Sequence, residues 1–293
     1  MWMHSCKRGQ LSPRLGVVYK IFEYKIFEQT TLHAGYARYF TPPPTELVAS
    51  KDLALFQNTV NSPGALGNST ANGLVKSERD NYYDAGISQA LTPEWPTGLD
   101  AYYKQARHLL DEGQFGAALV FTPFNYEQGK VYGVELTNSF RKGAFGAYLN
   151  VAWSMARGQN IESAQFNFSQ TNLTDIATHY IFLDHDQRLT GSGGMSYLWQ
   201  RTTFTTDFLF GSGLRSTDLG GVPNGAHLPA YTTGNLGVAR PFKVTGIGRL
   251  TGRLAVLNVF DKTYEIRDGT GVGVGAPQFG LRRAFYAGLN KVF

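Results

Sequence analysis

The stretch GAFGAYLNVAWSMAR, residues 143–157, constrains the fold more than any other part of the chain. Phe145, Ala147, Leu149, Val151, Trp153 and Met155 alternate with Gly146, Tyr148, Asn150 and Ser154, a period of two that an extended strand places on one face. Alternation of this length covers the ~9–11 residues that a tilted membrane-crossing strand needs. The same device recurs in 130–140, where Tyr132, Val134, Leu136 and Phe140 oppose Gly133, Glu135, Thr137 and Ser139. It recurs again in 188–199, with Leu189, Met195, Tyr197 and Trp199 against Arg188, Thr190 and Ser192. A water-soluble sandwich also alternates, but its strands average ~5–6 residues and its outward face is usually charged. Here the runs are longer and the second faces are mostly Gly, Ser, Thr and Asn. The pattern predicts an all-β fold, an antiparallel meander that curves as a transmembrane β-barrel.

Composition agrees. Charged residues are only 17% and aromatic residues 14%, a balance that suits strands better than helices. The net charge of +5 is carried by scattered single residues and pairs such as Arg141-Lys142 and Arg282-Arg283, not by a stripe, so no nucleic-acid partner is expected. Cys6 is the single cysteine, which leaves no disulfide framework and no thiolate metal site within one chain. The longest apolar run, 117–121, falls far short of the ~20 residues of a spanning helix. The first ten residues lack the ~7–15-residue apolar stretch of a signal peptide. The expectation is therefore a chain that stays in the cytoplasm or whose true beginning lies upstream, with 1–10 unstructured and 11–293 forming the barrel portion.

Eleven strands are predicted, at 12–22, 30–40, 80–91, 97–110, 130–142, 143–157, 186–199, 201–213, 231–242, 249–261 and 281–293. Their connections alternate short and long, as in outer-membrane barrels, with 41–79, 111–129, 158–185, 214–230 and 262–280 as the long, extracellular set. Single-chain bacterial barrels use even strand numbers, so an odd count points to an incomplete barrel. The repeated pentapeptide at Tyr19–Glu23 and Tyr24–Glu28 fits neither strand nor helix spacing and reads as a local duplication lengthening a turn.

The run LAVLNVFDKTYEIRDGTGVGVGAPQFGLRRAFYAGLNKVF, with its Asn-Val-Phe-Asp-Lys-x-Tyr segment, Gly-rich loop and final Phe, resembles the C-terminus of TonB-dependent outer-membrane receptors. LSPRLGVVYK, TTLHAGYARYFTPPP, GKVYGVELTNSF and LDHDQRLTG are similar to the same family, in the family's order. The resemblance implies a 22-stranded barrel preceded by a plug domain and a TonB-contacting box, of which this chain matches only about the last 11 strands. It implies TonB-dependent uptake of a scarce ligand such as a siderophore or cofactor, no enzymatic activity, and residence in the outer membrane. The implied partners are outer-membrane lipid, the barrel assembly machinery, a plug and N-terminal half-barrel if supplied separately, and TonB only through the missing plug region. A non-functional remnant or one piece of a split receptor is the first alternative. A soluble β-rich carbohydrate-binding protein or enzyme is the second.

Candidate site residues follow from this reading. Phe293, Leu289 and Phe285 on one face of the last strand form the expected assembly signal, with Lys291 standing where the family more often has an apolar residue. Glu135, Arg188, Arg249 and Arg253 are expected on the lumen face. Tyr36, Tyr39, Phe40, Tyr82, Tyr83, Trp95, Tyr102, Tyr103, Trp153, Tyr197 and Trp199 are expected in interface girdles. His179, Asp184, His185 and Asp186 have metal-ligand composition without a metal-ligand pattern, so packing and hydrogen bonds are preferred over a metal. GTGVGVGAPQFG, 269–280, has no βαβ context and reads as an extracellular loop, not a phosphate cradle. No catalytic motif, cofactor or metal is assigned.

Overall fold

The structure is a computed structural model that describes residues 9–21, 30–43, 75–114, 121–163, 168, 170–273 and 275–291. Along the chain run β1 (Arg14–Ile21), β2 (Thr30–Thr41), β3 (Glu78–Thr92), β4 (Trp95–Gln114), β5 (Phe121–Lys142) and β6 (Phe145–Ile161). Helix α1 (Gln170–Thr178) and the short β7 (Ile181–Phe182) precede β8 (Leu189–Trp199) and β9 (Thr202–Gly211). Short β10 (Arg215–Ser216) and β11 (Ala226–His227) pair with each other before β12 (Tyr231–Val244) and β13 (Gly248–Leu257). Short β14 (Glu265–Asp268) and β15 (Pro277–Phe279) likewise pair before β16 (Ala284–Lys291).

The main sheet has the order β1-β2-β3-β4-β5-β6-β8-β9-β12-β13-β16, with β7 added beside β6. Every long strand pairs antiparallel with its sequence neighbour, the meander that the alternation predicts. The sheet is open, its path ending at β1 and β16. Three of the connections at one end are only two residues long, at 93–94, 143–144 and 200–201, and a fourth is 245–247. At the other end the connections carry α1 and the short paired strands.

The register sorts side chains into two faces. Tyr36, Tyr83, Tyr103 and Tyr132 stand directly opposite one another across four strands, with ring centroids 5.2 Å apart for Tyr36–Tyr83 and 6.2 Å for Tyr103–Tyr132. A second aromatic group, Trp95, Phe140, Phe145 and Tyr197, lies near the short turns on the same face. Between them run rows such as Leu99, Leu136 and Val151, and Ala101, Val134, Trp153 and Leu189. Tyr132 and Phe140 are separated by ~26 Å of strand at ~3.3 Å per residue, which a ~40° tilt shortens to ~20 Å. That is the scale of an outer-membrane barrel's apolar band, ~25 Å.

Neighbours in a strand point to opposite faces, which corrects part of the girdle expectation. Tyr82 and Tyr102 turn to the polar face, where their rings stack at 6.2 Å and Tyr39 meets Tyr82 at 5.9 Å. Glycines on that face make room for them: a Cβ on Gly133 would lie 2.8 Å from the Tyr102 hydroxyl. The expected loop 111–129 is also corrected, because β4 and β5 stay paired up to Gln114 and Phe121. His108 adopts a φ of 56°, and beyond it Leu109 packs against Gly129, whose added Cβ would meet the leucine at 2.5 Å. A left-handed residue within the strand thus resets the alternation, and a strict period of two cannot follow the strand past it. The pentapeptide duplication extends into residues 22–29, which lie outside the described residues.

The β8–β9 hairpin turns on Gln200 and Arg201, both at positive φ, 45° and 67°. Such a turn prefers Asn-Gly, since the left-handed region costs ordinary residues ~1–2 kcal/mol each. Replacing the pair by Asn-Gly should raise stability by ~1–2 kcal/mol, read as a higher urea midpoint for loss of heat-modifiable gel mobility. An unchanged or lower midpoint would contradict the assigned turn.

Candidate ligand-binding cap

At the long-loop end the paired β4–β5–β6 extension and the loops following β6, β9 and β13 pack into a cap. Its core is Ala106, Leu109, Phe124, Tyr126, Ile161, Phe168, Ile176, Ile181, Leu183 and Val272. Phe124 sits edge-on to both Tyr126 and Phe168, at 5.2 and 4.9 Å. Gly158 admits the Tyr126 ring, which an added Cβ would meet at 2.5 Å. Such apolar closure lets polar loops hold one arrangement over a sheet that has no thick core of its own.

Two buried asparagines tie the loops together. The Asn125 side-chain amide donates to the carbonyls of Lys76 (3.0 Å) and His108 (2.9 Å), while its oxygen accepts from the Lys76 amide at 2.7 Å. Asn224 donates to the Phe182 carbonyl at 2.8 Å and accepts from the Val272 amide at 2.9 Å. One asparagine therefore links the region before β3 to β4 and β5, and the other links three loops. Buried amides with every group paired fix such contacts, because leaving one unpaired costs ~1–3 kcal/mol.

Charge completes the cap. Asp186, buried, accepts from the Arg215 Nε at 2.8 Å and from the Ala156 amide at 2.7 Å, and Arg188 approaches it at 3.8 Å. The Arg215 guanidinium lies 3.7 Å from the Phe182 ring centroid. Asp184 accepts from the Arg267 Nε at 2.8 Å and contacts the His185 Nδ1 at 3.0 Å, with Asp111 3.7 Å from the same nitrogen. Desolvation works against charge on the His185 ring, yet the Asp184 hydrogen bond and the Asp111 and Asp184 charges outweigh it and raise its pKa to about 9. Asp111, Asp184 and His185 present ligand atoms within 4.8 Å of one another, a group able to hold a cation. Their charges are already answered by the protonated ring and by Arg267, so the arrangement is an ion-pair network in its own right.

The sequence grouping of His179, Asp184, His185 and Asp186 is thus divided. His179 follows α1 directly and its Nδ1 meets the Asp175 carbonyl at 3.2 Å, while Asp184 and Asp186 join separate arginines. Asp111, Arg215 and Arg267 come from distant segments, and no local spacing signals them. Asn224-Gly225 carries a turn signal, but its partners are equally remote.

Glu135 stands opposite Asp100 and Ala152, and Arg253 opposite Ala239 and Gly288, all on the polar face. Arg249 pairs in register with Lys243. Arg188 belongs to the cap, with Phe182 5.1 Å from its guanidinium carbon. On the last strand Phe285 and Leu289 stand opposite Val256 and Gly252 and are 75% and 63% exposed, and Phe293 lies outside the described residues. That strand is anchored at its start. Asn258 bonds the carbonyls of Lys262 and Leu281 at 2.8 and 2.9 Å, and Asp261 takes two bonds from Arg282, at 2.8 and 2.6 Å. Arg282, with the Arg283 amide, holds the Asp261 carboxyl well below the usual range. The Asn-Val-Phe-Asp-Lys segment therefore works as a clasp.

A family model described as TonB dependent receptor-like, beta-barrel, matches residues 5–259. The chain belongs to this family. Its members are outer-membrane β-barrel receptors that serve transport. The chain is similar to the vitamin B12 transporter BtuB of Vibrio vulnificus (strain YJ016), 23% identical over 225 residues, 77% of this chain and 32% of the relative. Among solved structures it matches the FrpB iron transporter of Neisseria meningitidis with TM-score 0.58 and 18% identity over 96% of this chain and 39% of that one. It also matches the copper transporter OprC with TM-score 0.58 and 15% identity, covering 95% of this chain and 39% of OprC. The chain thus spans about a third of the length of these relatives, and the structural likeness is one of fold.

Asp186→Asn should leave the buried Arg215 without its counter-charge and cost ~3–5 kcal/mol, lowering the cap's melting transition in detergent. Loss of under ~1 kcal/mol would show that the pair does not hold the cap together.

Proposed function

We propose that this chain forms the C-terminal part of the barrel of an outer-membrane receptor for TonB-dependent uptake of a scarce ligand, a siderophore or a cofactor. The family match over most of the chain carries this reading. The apolar face bounded by aromatic rows supports a lipid contact, and the cap supplies a fixed polar surface at the long-loop end. His185 and Arg188, on the cap's accessible side, would contact the ligand, while the core, the asparagines and Asp186 hold them in place. The polar-face residues Glu135, Arg249 and Arg253 would line the lumen, where a plug domain reaches them. Further barrel strands would pair with β1 and β16, since unpaired backbone groups cost several kcal/mol each in hydrocarbon. TonB would act through that plug.

The relatives named above carry vitamin B12, iron and copper, so the test uses cyanocobalamin, a ferric catecholate and a cupric salt as probes. The protein folded in detergent should bind one of them saturably, and a combined His185→Ala and Arg188→Ala variant should bind it at least tenfold more weakly. Folded protein that binds none of the three, or a variant that binds as the parent does, would count against the cap as the ligand surface.

The terminal strand yields a second expectation. Phe285 and Leu289 share the apolar face of the last strand, Phe293 continues their four-residue spacing in the sequence, and the barrel assembly machinery would read these three residues. Deleting Phe293 should reduce membrane-inserted, heat-modifiable protein severalfold in cells exporting the chain, and equal insertion would remove the terminal residue from that role.

A further inference from the structure

Two adjacent cross-strand rows lie on the polar face near the short turns. The first contains Ser139, Tyr148, Gly194, Asp207 and Asn235 in direct register on β5, β6, β8, β9 and β12. The second contains Arg141, Gly146, Ser196, Thr205 and Gly237 and stands ~7 Å closer to the turns, at ~3.3 Å per residue. Tyr148 is the one aromatic residue in the two rows, and every other position is glycine or polar.

Glycines shape this surface. Gly194 is buried beneath the Tyr148 ring, whose carbons a Cβ on that glycine would meet at 2.6 and 3.1 Å. The ring therefore lies across β8, and Tyr148 remains 44% exposed, which leaves ring surface open. The Ser196 hydroxyl leans over Gly146 and the Thr205 hydroxyl over Gly237, where an added Cβ would meet their oxygens at 3.0 and 2.5 Å. Asp207 takes a bond from the Asn235 amide to its Oδ2 at 2.5 Å, and no described residue donates to its Oδ1. The Arg141 amide donates to the Glu94 carbonyl at 2.9 Å, while the Arg141 guanidinium has no ion-pair partner among the described residues. A trough of about 830 Å³ runs over these groups, with Pro93, Glu94 and Pro96 at its rim.

We infer that this trough is a binding site for a neutral carbohydrate of a few hexose rings. The inference rests on the reading of the polar face as the lumen, and the site shares no residue with the cap. A sugar ring presents C–H groups on its faces and hydroxyls around its edge, and the trough offers the complement, an open aromatic face with polar groups beside it. Recognition of hydroxyls needs both donors and acceptors. Ser139, Ser196 and Thr205 serve as either, Asp207 Oδ1 accepts, and Arg141 donates from a fixed fork. Glu94 and Asp207 stand with Arg141, so both signs of charge are present without a cluster of either, which favours a neutral occupant over a phosphate or a charged chelate. The volume lies in the range of small-molecule sites, ~300–1,000 Å³. A solute crossing the lumen from the cap would reach this end last.

The test uses the full chain folded in a detergent without a sugar headgroup, with folding read by heat-modifiable mobility. Maltotriose, cellotriose and chitotriose are the probes, beside inorganic phosphate, and binding is read by saturation-transfer NMR. The parent should bind at least one trisaccharide, with transfer strongest to ring C–H protons and an affinity unchanged by salt, and should not bind phosphate. Tyr148→Ala should weaken binding at least tenfold, whereas Tyr148→Phe, which keeps the ring face, should stay within about threefold of the parent. If Tyr148→Ala does not fold, Ser139→Ala with Arg141→Gln, both at exposed positions, decides the matter, with at least fivefold weaker binding expected. The lumen reading is checked separately: Thr205→Cys in a Cys6→Ser background should react with a membrane-impermeant maleimide when the chain is in lipid vesicles. A labelled cysteine in protein that binds none of the three sugars would overturn the inference and leave the lumen reading standing, and a folded but unlabelled cysteine would overturn both. Binding that falls steeply with salt, or that survives Tyr148→Ala undiminished, would also overturn the inference.

Discussion

In hydrocarbon every backbone N–H and C=O needs a partner within the protein, and this structure meets that demand with one continuous antiparallel ladder. The ladder then dictates the rest. Because partners in register share a face, a residue's place in the ladder decides whether it meets lipid or the opposite side. Leu99, Leu136 and Val151 come from three strands yet form one row, and so do the four tyrosines beyond them. Slipping a strand by one residue would exchange the faces of all its side chains, so the alternation and the register hold each other in place.

A sheet of this kind has no thick core, and its two faces are stabilised differently. On the apolar face rings and branched chains meet across strands, each pair worth a fraction of a kcal/mol. On the polar face glycines let large side chains lie across neighbouring strands, as Tyr102 does over Gly133. Among the described residues a compact packed core appears only in the cap, where the extended β4–β5–β6 strands and three loops enclose Phe124, Tyr126 and Ile176. There the buried Asn125, Asn224 and Asp186 join chain segments that no regular structure connects. The geometry of that end depends on side chains, as that of the membrane part depends on backbone.

This division explains what could be read from sequence. All eleven long strands were legible, because a strand with one lipid face writes its period into the residues. Where that pressure ends, so does the signal. β5 reaches back to Phe121, but past the left-handed His108 the alternation shifts and polar residues such as Asp111 and Asn125 enter the pattern. Adjacent aromatics misled for a related reason: Tyr82-Tyr83 and Tyr102-Tyr103 look like one girdle in sequence, yet each pair straddles the sheet. Of the cap, the Asp184-His185-Asp186 cluster could be noticed, but not its partners. Arg267 lies 83 positions from Asp184, and Arg215 29 positions from Asp186, and only the fold brings them together. The Asn-Val-Phe-Asp-Lys segment was visible as a family likeness, and its physical role as a clasp on the last strand required the contacts of Asn258 and Asp261.

The account stands on the assignment of one sheet face to lipid, and spin labels placed singly at each position from 145 to 157 on β6 measure it directly. With the protein in lipid vesicles, accessibility to dissolved oxygen should peak at 147, 149, 151 and 153 and fall at 148, 150 and 152, with accessibility to a polar nickel chelate showing the opposite phase. A helical period, or nickel access at the odd positions equal to that at the even ones, would contradict the membrane-spanning sheet.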